Sequence, residues 1–430
     1  MLPNIVFITC HDLGRHLGCY GQKSVKSEAL DELARQGAIF DNSFCTAPQC
    51  SPSRAALHTG RHAHSVGVLG LAHYPFSWRL HPDQMHVARR LREAGYDTTL
   101  IGVQHVTHTS SVPALGYNHA YPIEPAPAIG KRAQKVIEAL AGSDHPFYLE
   151  IGFFEPHRPY DWGKTKPDSS KGVRLPHYIP NGPEAIAEFA ALQGMILSMD
   201  KAIGDILKAL ENNNLAEETL VIFTTDHGLA MPRAKCTLYD PGIGTSLLMR
   251  WPSKGISGGR RFSELISHVD ILPTMLEAIG LPVPDNLHGK SFWSLLQGYD
   301  YEPNEVIFAE KTYHTHYEPM RAIRTQNHKL IINFDVGLQF DVPSDICQSP
   351  IYPLVIDQQV GEREYIELYD LETDPKEMVN LAGCPEVADL EKSLIDRLRR
   401  WMVETDDPLL RGPIASPFYD IALKKLMLVE

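Results

Sequence analysis

Four apolar runs recur along the chain, each followed at once by ionisable residues: residues 4–9, 98–103, 147–154 and 220–225. They are nearly continuous in apolar and small residues, as strands buried on both faces are. Between them lie segments of helical period at 28–36, 84–94, 130–140, 186–212 and 273–279. The last opens on Pro273, at a first turn that tolerates proline. This alternation predicts an α/β fold, a mixed or parallel sheet covered by helices on both faces. Near residue 303 the pattern changes. "MRAIRTQNHKLIINF" reads as a hairpin, with a polar turn between two alternating runs. An irregular, proline-rich stretch, "GLQFDVPSDICQSPIYPLVID", follows, then a short strand, "YIELYDL", and a helix over 390–404. Residues 1–304 are expected to form one large domain and 305–430 a smaller α+β domain with an antiparallel sheet and a packed helix.

Composition narrows the function classes. With 430 residues, 43% hydrophobic and 22% charged, the chain has ample length for a buried core. Its net charge of −13 and lack of any Lys/Arg run argue against nucleic acid or an anionic membrane as partner. The start, "MLPNIVFITC", lacks the charged and apolar regions of a secretory signal, and no segment is long and apolar enough to span a bilayer. Seven cysteines without CxxC spacing suit a reducing compartment, and a cytoplasmic location is expected. Association with further copies of the chain stays open.

The polar residues after the four runs are Cys10-His11-Asp12, Gln104-His105, Glu155-Pro156-His157-Arg158 and Asp226-His227-Gly228. Ligands of open α/β sheets bind beyond the carboxyl ends of the strands, so four segments bring carboxylates and imidazoles to one edge. Any one of them alone could be a structural histidine or a helix cap; together they read as a site. Asp12, Asp226 and His227 suit a divalent cation, the imidazole moving the preference toward Mn²⁺ or Zn²⁺. Cys50 heads a short helix, "CSPSRAALHTGR", where unpaired backbone N–H groups favour an anion. Arg54, one turn on, offers a fork for a tetrahedral oxyanion, and Lys235 a point charge.

"CSPSRAALHTGR" resembles the signature of the sulfatase family at every defining position, and "TTDHG", "KCTLYDPG", "FFEPHRPY" and "ELYDLETDPKEMVNLA" resemble further sulfatase segments. The resemblance implies the alkaline-phosphatase-like fold, one bound divalent metal ion (Ca²⁺ or Mn²⁺), and oxidation of Cys50 to formylglycine by a formylglycine-generating enzyme. The hydrated aldehyde would attack sulfur through one hydroxyl, and loss of the second proton would expel sulfate. By the same resemblance His105 assists at the diol, His157 protonates the leaving group, Arg54 orients the nucleophile and Lys235 holds sulfate oxygens. The metal set would be His11, Asp12, Cys50, Asp226 and His227.

Two positions depart from the family pattern. His11 stands where a second Asp is usual, and Val103 where a Lys is usual. The first favours Mn²⁺ over Ca²⁺; for the second, nearby His108 is a candidate substitute. "EPMRAIRTQNHKLIINFD" and "WMVETDDP" resemble the sulfamidase branch, the N-sulfoglucosamine sulfohydrolases. Tyr313, His314, His316 and Arg321 are then candidates to contact a sugar, and the acidic net charge favours a small sulfated substrate. A phosphate or phosphonate ester hydrolase on the same scaffold, and a non-catalytic anion binder, are the alternative readings.

Overall fold

The computed structural model describes residues 2–336, 341–358 and 364–428. Eight strands build the main sheet: β1 (Asn4–Cys10), β2 (Ala38–Phe40), β3 (Asp97–Gly102), β4 (His119–Tyr121), β5 (Phe147–Gly152), β6 (Thr219–Thr225), β7 (Leu247–Arg250) and β8 (Arg260–Phe262). Their order is β8-β2-β7-β6-β1-β5-β3-β4. The sheet is mixed. Strands β6, β1, β5, β3 and β4 run parallel, while β7 is antiparallel to both its neighbours. The strands β2, β4, β7 and β8 carry too few residues to show in the hydrophobic pattern and went unpredicted.

Side chains of β1 alternate between two cores. Val6 and Ile8 pack on the side of the helices α1 (Glu28–Gln36), α4 (Ala126–Leu140) and α5 (Pro183–Asn212). Ile5 and Phe7 pack on the opposite side, with α2 (Cys50–Thr59), α3 (Val87–Glu93) and α6 (His268–Ala278). This is the two-sided burial that a continuous apolar strand predicts. Helix α6 departs most from expectation: it begins at His268, five residues early, because Ser267 and Asp270 form a reciprocal capping box. Pro273 therefore lies inside that helix instead of in its first turn.

The C-terminal region carries an antiparallel sheet of β9 (Ile307–Tyr313), β10 (Tyr317–Arg324), β11 (His328–Asn333) and β12 (Ile366–Asp370), in that spatial order. The expected hairpin is β10–β11, pairing Met320 with Asn333 through Arg324 with Lys329. Helix α7 (Ala388–Glu404) covers it with Leu394, Leu398, Trp401 and Met402. The stretch expected to be irregular holds short helices at Ser344–Cys347 and Tyr352–Val355, while its residues 337–340 lie outside the described residues. No helix among the described residues is long and apolar enough to cross a membrane.

Register places the site. Thr9 pairs with Gly152, Gly102 with Gly152, and Cys10 with Thr225, so four strands end level at one edge. Gly152 is needed there, since a β-carbon would lie 1.9 Å from the Val103 carbonyl oxygen. The loops leave the edge still tied to it: Phe153 N–H donates to Thr9 O (2.9 Å), and Asp226 N–H to Cys10 O (3.1 Å).

Candidate active site

Asp226 is the centre of the constellation. Its Oδ1 accepts the backbone N–H of Asp12 (3.0 Å) and of His227 (2.9 Å). Its Oδ2 lies 3.1 Å from His11 Nδ1 and accepts from Arg54 Nε at 3.2 Å. Burial alone would raise this carboxyl, but His227, His11 and Arg54 outweigh it and hold the pKa well below the ordinary carboxylate value. Asp12 Oδ1 stands 3.2 Å from His227 Nε2. Both Asp12 and His105 adopt left-handed backbone, at φ 49° and 55°, which for a histidine is strained.

These side chains fit a divalent cation. His11 Nε2 is buried without a hydrogen-bond partner among the described residues, and Asp12 Oδ1 accepts no hydrogen bond there although His227 and Lys235 lie 3.2 Å away. Ligand atoms of His11, Asp12 and Asp226 lie within 4.8 Å of one another, as do those of Asp12, Cys50 and His227. Two carboxylates and two imidazoles are a mixed oxygen–nitrogen set of the kind that suits Mn²⁺ or Zn²⁺ better than an all-oxygen cage would. Leaving such atoms buried and unpaired would be costly.

Cys50 is the first residue of α2, and Gln49 before it supplies no side-chain cap to the helix. Its Sγ lies 3.4 Å from His227 Nε2. Burial raises the thiol well above its ordinary pKa, Lys235 opposing and Asp226 adding to it. The rest of the signature fastens the helix in place. Ser51 Oγ accepts Ala72 N–H (2.9 Å), and Ser53 Oγ donates to the Asp226 carbonyl (2.5 Å). Arg54 donates to Asp226, Thr9 Oγ1 (2.9 Å) and Cys10 O (3.2 Å). The Arg54 fork is therefore spent beneath the carboxylates and is not open to an oxyanion as expected; it balances their charge.

Around this floor stand the other groups. His105 and His157 approach His11 edge-on, at ring separations of 5.0 and 5.4 Å. Burial, then His11 and Arg54, lower the pKa of His105 well below the ordinary value, so its imidazole is neutral. The side chain of His157 stays 21% exposed, its Nδ1 facing Arg158 O at 2.6 Å and its Nε2 turned to Asp12 Oδ2 at 3.6 Å. Lys235 Nζ donates to Asp12 Oδ2 (3.2 Å) and Asp345 Oδ2 (3.0 Å). Burial works against this ammonium, but Asp12 and Asp345 raise its pKa.

Two neighbours escaped the sequence reading. His73 stacks on His105 at 5.8 Å, and Asp345 comes from the short helix Ser344–Cys347 of the C-terminal region. Neither lies in a recognisable motif, and a lone Asp in a proline-rich stretch carries no signal. His108 does not replace the missing lysine: it is exposed and caps the turn after it, accepting Ser110 N–H at 3.3 Å.

The expected sugar contacts divide. His314 is buried near Lys235, which together with burial lowers its pKa well below the ordinary value. His316 is exposed on the hairpin beyond it, its carbonyl accepting His314 N–H at 3.2 Å. Arg321 is fully buried under the C-terminal sheet, its guanidinium on Asp407 at 2.6 and 3.0 Å and on Lys311 O at 2.9 Å. No substrate reaches it there. Arg321→Ala should cost about 3–5 kcal/mol of stability, because it leaves the Asp407 carboxylate buried and unpaired. Urea unfolding checks this; a loss confined to KM, with stability intact, would restore a binding role.

A cysteine-headed helix, a carboxylate–imidazole floor, a buried lysine and a half-open histidine at the strand ends describe a site for a tetrahedral anion. Comparison with known families agrees: residues 3–281 match the family model described as Sulfatase, and the chain belongs to the sulfatase family. Residues 227–345 match a second model, N-sulphoglucosamine sulphohydrolase, C-terminal. The human protein named N-sulphoglucosamine sulphohydrolase is 28% identical over 95% of this chain and 92% of its own length. An Ulvan-active sulfatase of Formosa agariphila is 29% identical, covering 96% and 83%. Among solved structures, one in complex with D-glucosamine-2-N,6-O-disulfate superposes with a TM-score of 0.72 at 19% identity, over 96% of this chain and 99% of that one. The chain is thus a hydrolase of sulfuric esters or sulfamates.

Proposed function

We propose that the chain removes sulfate from small sulfated sugars, as N-sulfate or O-sulfate, with residue 50 as the nucleophile and a divalent ion held by His11, Asp12, Asp226 and His227. The observation that carries this reading is the convergence of Cys50 with Asp12 and His227 at the head of α2, next to a histidine that is 21% exposed. Formylglycine made from Cys50 would supply an oxygen nucleophile there in place of a thiol. The bound ion would supply positive charge beside that oxygen and the sulfuryl group.

The chain's own residues do the rest. Arg54 and Lys235 balance the two carboxylates, so that an anionic substrate enters a site that is not repulsive. His105, with a ring nitrogen within 4.8 Å of the residue-50 side chain, is a neutral imidazole placed to accept the proton there. His157, anchored through Nδ1 to its neighbour's carbonyl, presents Nε2 and gives a proton to the departing oxygen or nitrogen.

The leaving group tests this assignment. A sugar alcohol or amine needs a proton as its bond to sulfur breaks, whereas a nitrophenolate hardly does. His157→Ala should lower kcat/KM on a sugar N-sulfate by roughly 10²–10⁴-fold and on nitrophenyl sulfate clearly less. Equal losses on both would remove His157 from the acid role.

A further inference from the structure

We infer that Asp345 is a specificity-determining residue that reads the leaving group and favours N-sulfates, whose nitrogen is positively charged as it leaves, over O-sulfates. The inference rests on the sulfohydrolase reading above and deepens it.

Asp345 is brought to the site from outside the main sheet region. Its Oδ2 sits 3.0 Å from Lys235 Nζ and 4.0 Å from His157 Nε2, and its side chain is 17% exposed. No hydrogen bond or ion pair falls to its Oδ1 among the described residues. Burial would raise this carboxyl, but Lys235 and His157 lower it well below the ordinary value, so it is ionised. An anionic carboxylate repels sulfate oxygens. Its natural place is therefore beside the leaving group, next to His157 Nε2.

A cavity of about 660 Å³ adjoins Asp345, lined also by Arg158, Pro159, Tyr160, Glu184 and Glu188 among others. That volume is in the range of small-molecule sites. Glu188 is consumed, since it pairs with Arg158 and accepts Ser349 Oγ at 2.6 Å. Glu184 and Asp345 are the other lining carboxylates, and of these Asp345 is the one beside the proton donor, 4.0 Å from His157 Nε2.

The chemistry separates the two substrate types. In an N-sulfate the nitrogen takes a proton from His157 ahead of S–N cleavage, so it carries positive charge while sulfur passes to the enzyme's nucleophile and it leaves as the amine. The amine then takes a second proton from water and becomes a cation. In an O-sulfate the oxygen takes one proton and leaves as a neutral alcohol. A fixed carboxylate accepts a hydrogen bond from either leaving group, but only in the first case is the donor charged as well, so that an ion pair forms. The lysine contact acts on the sulfate in both cases, so it cancels from the ratio of the two.

The test compares glucosamine N-sulfate with glucose 2-sulfate on wild type, Asp345→Asn and Asp345→Glu. The N-sulfate to O-sulfate ratio of kcat/KM should fall roughly tenfold to a hundredfold in Asp345→Asn, on the scale of charged hydrogen bonds, and recover in part in Asp345→Glu. Product inhibition by glucosamine, read at a pH where it is protonated, should weaken in Asp345→Asn while inhibition by glucose does not. Asp345→Ser serves if the Asn variant does not fold. An unchanged ratio overturns the inference, as does wild type that cleaves the O-sulfate but not the N-sulfate; the sulfohydrolase reading survives either result. Wild type inert on every sulfate ester and N-sulfate would sink both.

Discussion

Cys50→Ala is expected to lower turnover by roughly a millionfold, the scale seen when an enzyme loses its nucleophile outright. Cys50 is small, buried and at the first position of α2, and its sulfur touches an imidazole of the site and fills no hydrophobic core. Alanine keeps helix propensity at that position. The ties of Ser51, Ser53 and Arg54 hold the helix without it. Circular dichroism and the melting temperature should therefore match the wild type while activity vanishes. A variant that retains activity, or that loses it by unfolding, contradicts the role.

The second large effect concerns the two carboxylates, which should fail in different ways. Asp12→Asn should weaken metal affinity at least as much as the 10–100-fold that loss of an outer-shell partner costs, with the fold intact. Its cationic neighbour Lys235 keeps Asp345 at 3.0 Å as a second partner. Asp226→Asn should lose metal and also about 3–5 kcal/mol of stability, because the buried Arg54 is left without its only carboxylate among the described residues. Elemental analysis and denaturant unfolding of both variants decide this. Stoichiometric metal in both would mean the ion sits elsewhere; equal stability of the two would mean Arg54 does not depend on Asp226.

Much of this arrangement was legible because it depends on local pattern. Long apolar strands with ionisable residues at their ends mark both the central sheet and its functional edge, so His11, Asp12, His105, His157, Asp226 and His227 could be placed together from order alone. The three-residue strand Ala38–Phe40 could not, since its pairing with Leu247–Arg250 is a long-range fact. Arg321 misled for a related reason. A charged residue in an alternating strand reads as surface, and only the chain folding back to bring Asp407 beneath it makes it a buried pair. Asp345 is the opposite error: it sits in a segment without periodicity, and tertiary structure alone carries it to Lys235.

The central claim is that residue 50 acts as formylglycine on a sulfated sugar. Preparations with different extents of Cys50 conversion can be made by co-expressing, or omitting, a formylglycine-generating enzyme. Mass spectrometry of the peptide containing residue 50 gives the aldehyde fraction of each, and sulfate released from glucosamine N-sulfate gives its activity. Activity should rise in proportion to the aldehyde fraction and extrapolate to zero at full thiol. Full activity in a preparation whose residue 50 is entirely cysteine would contradict the account.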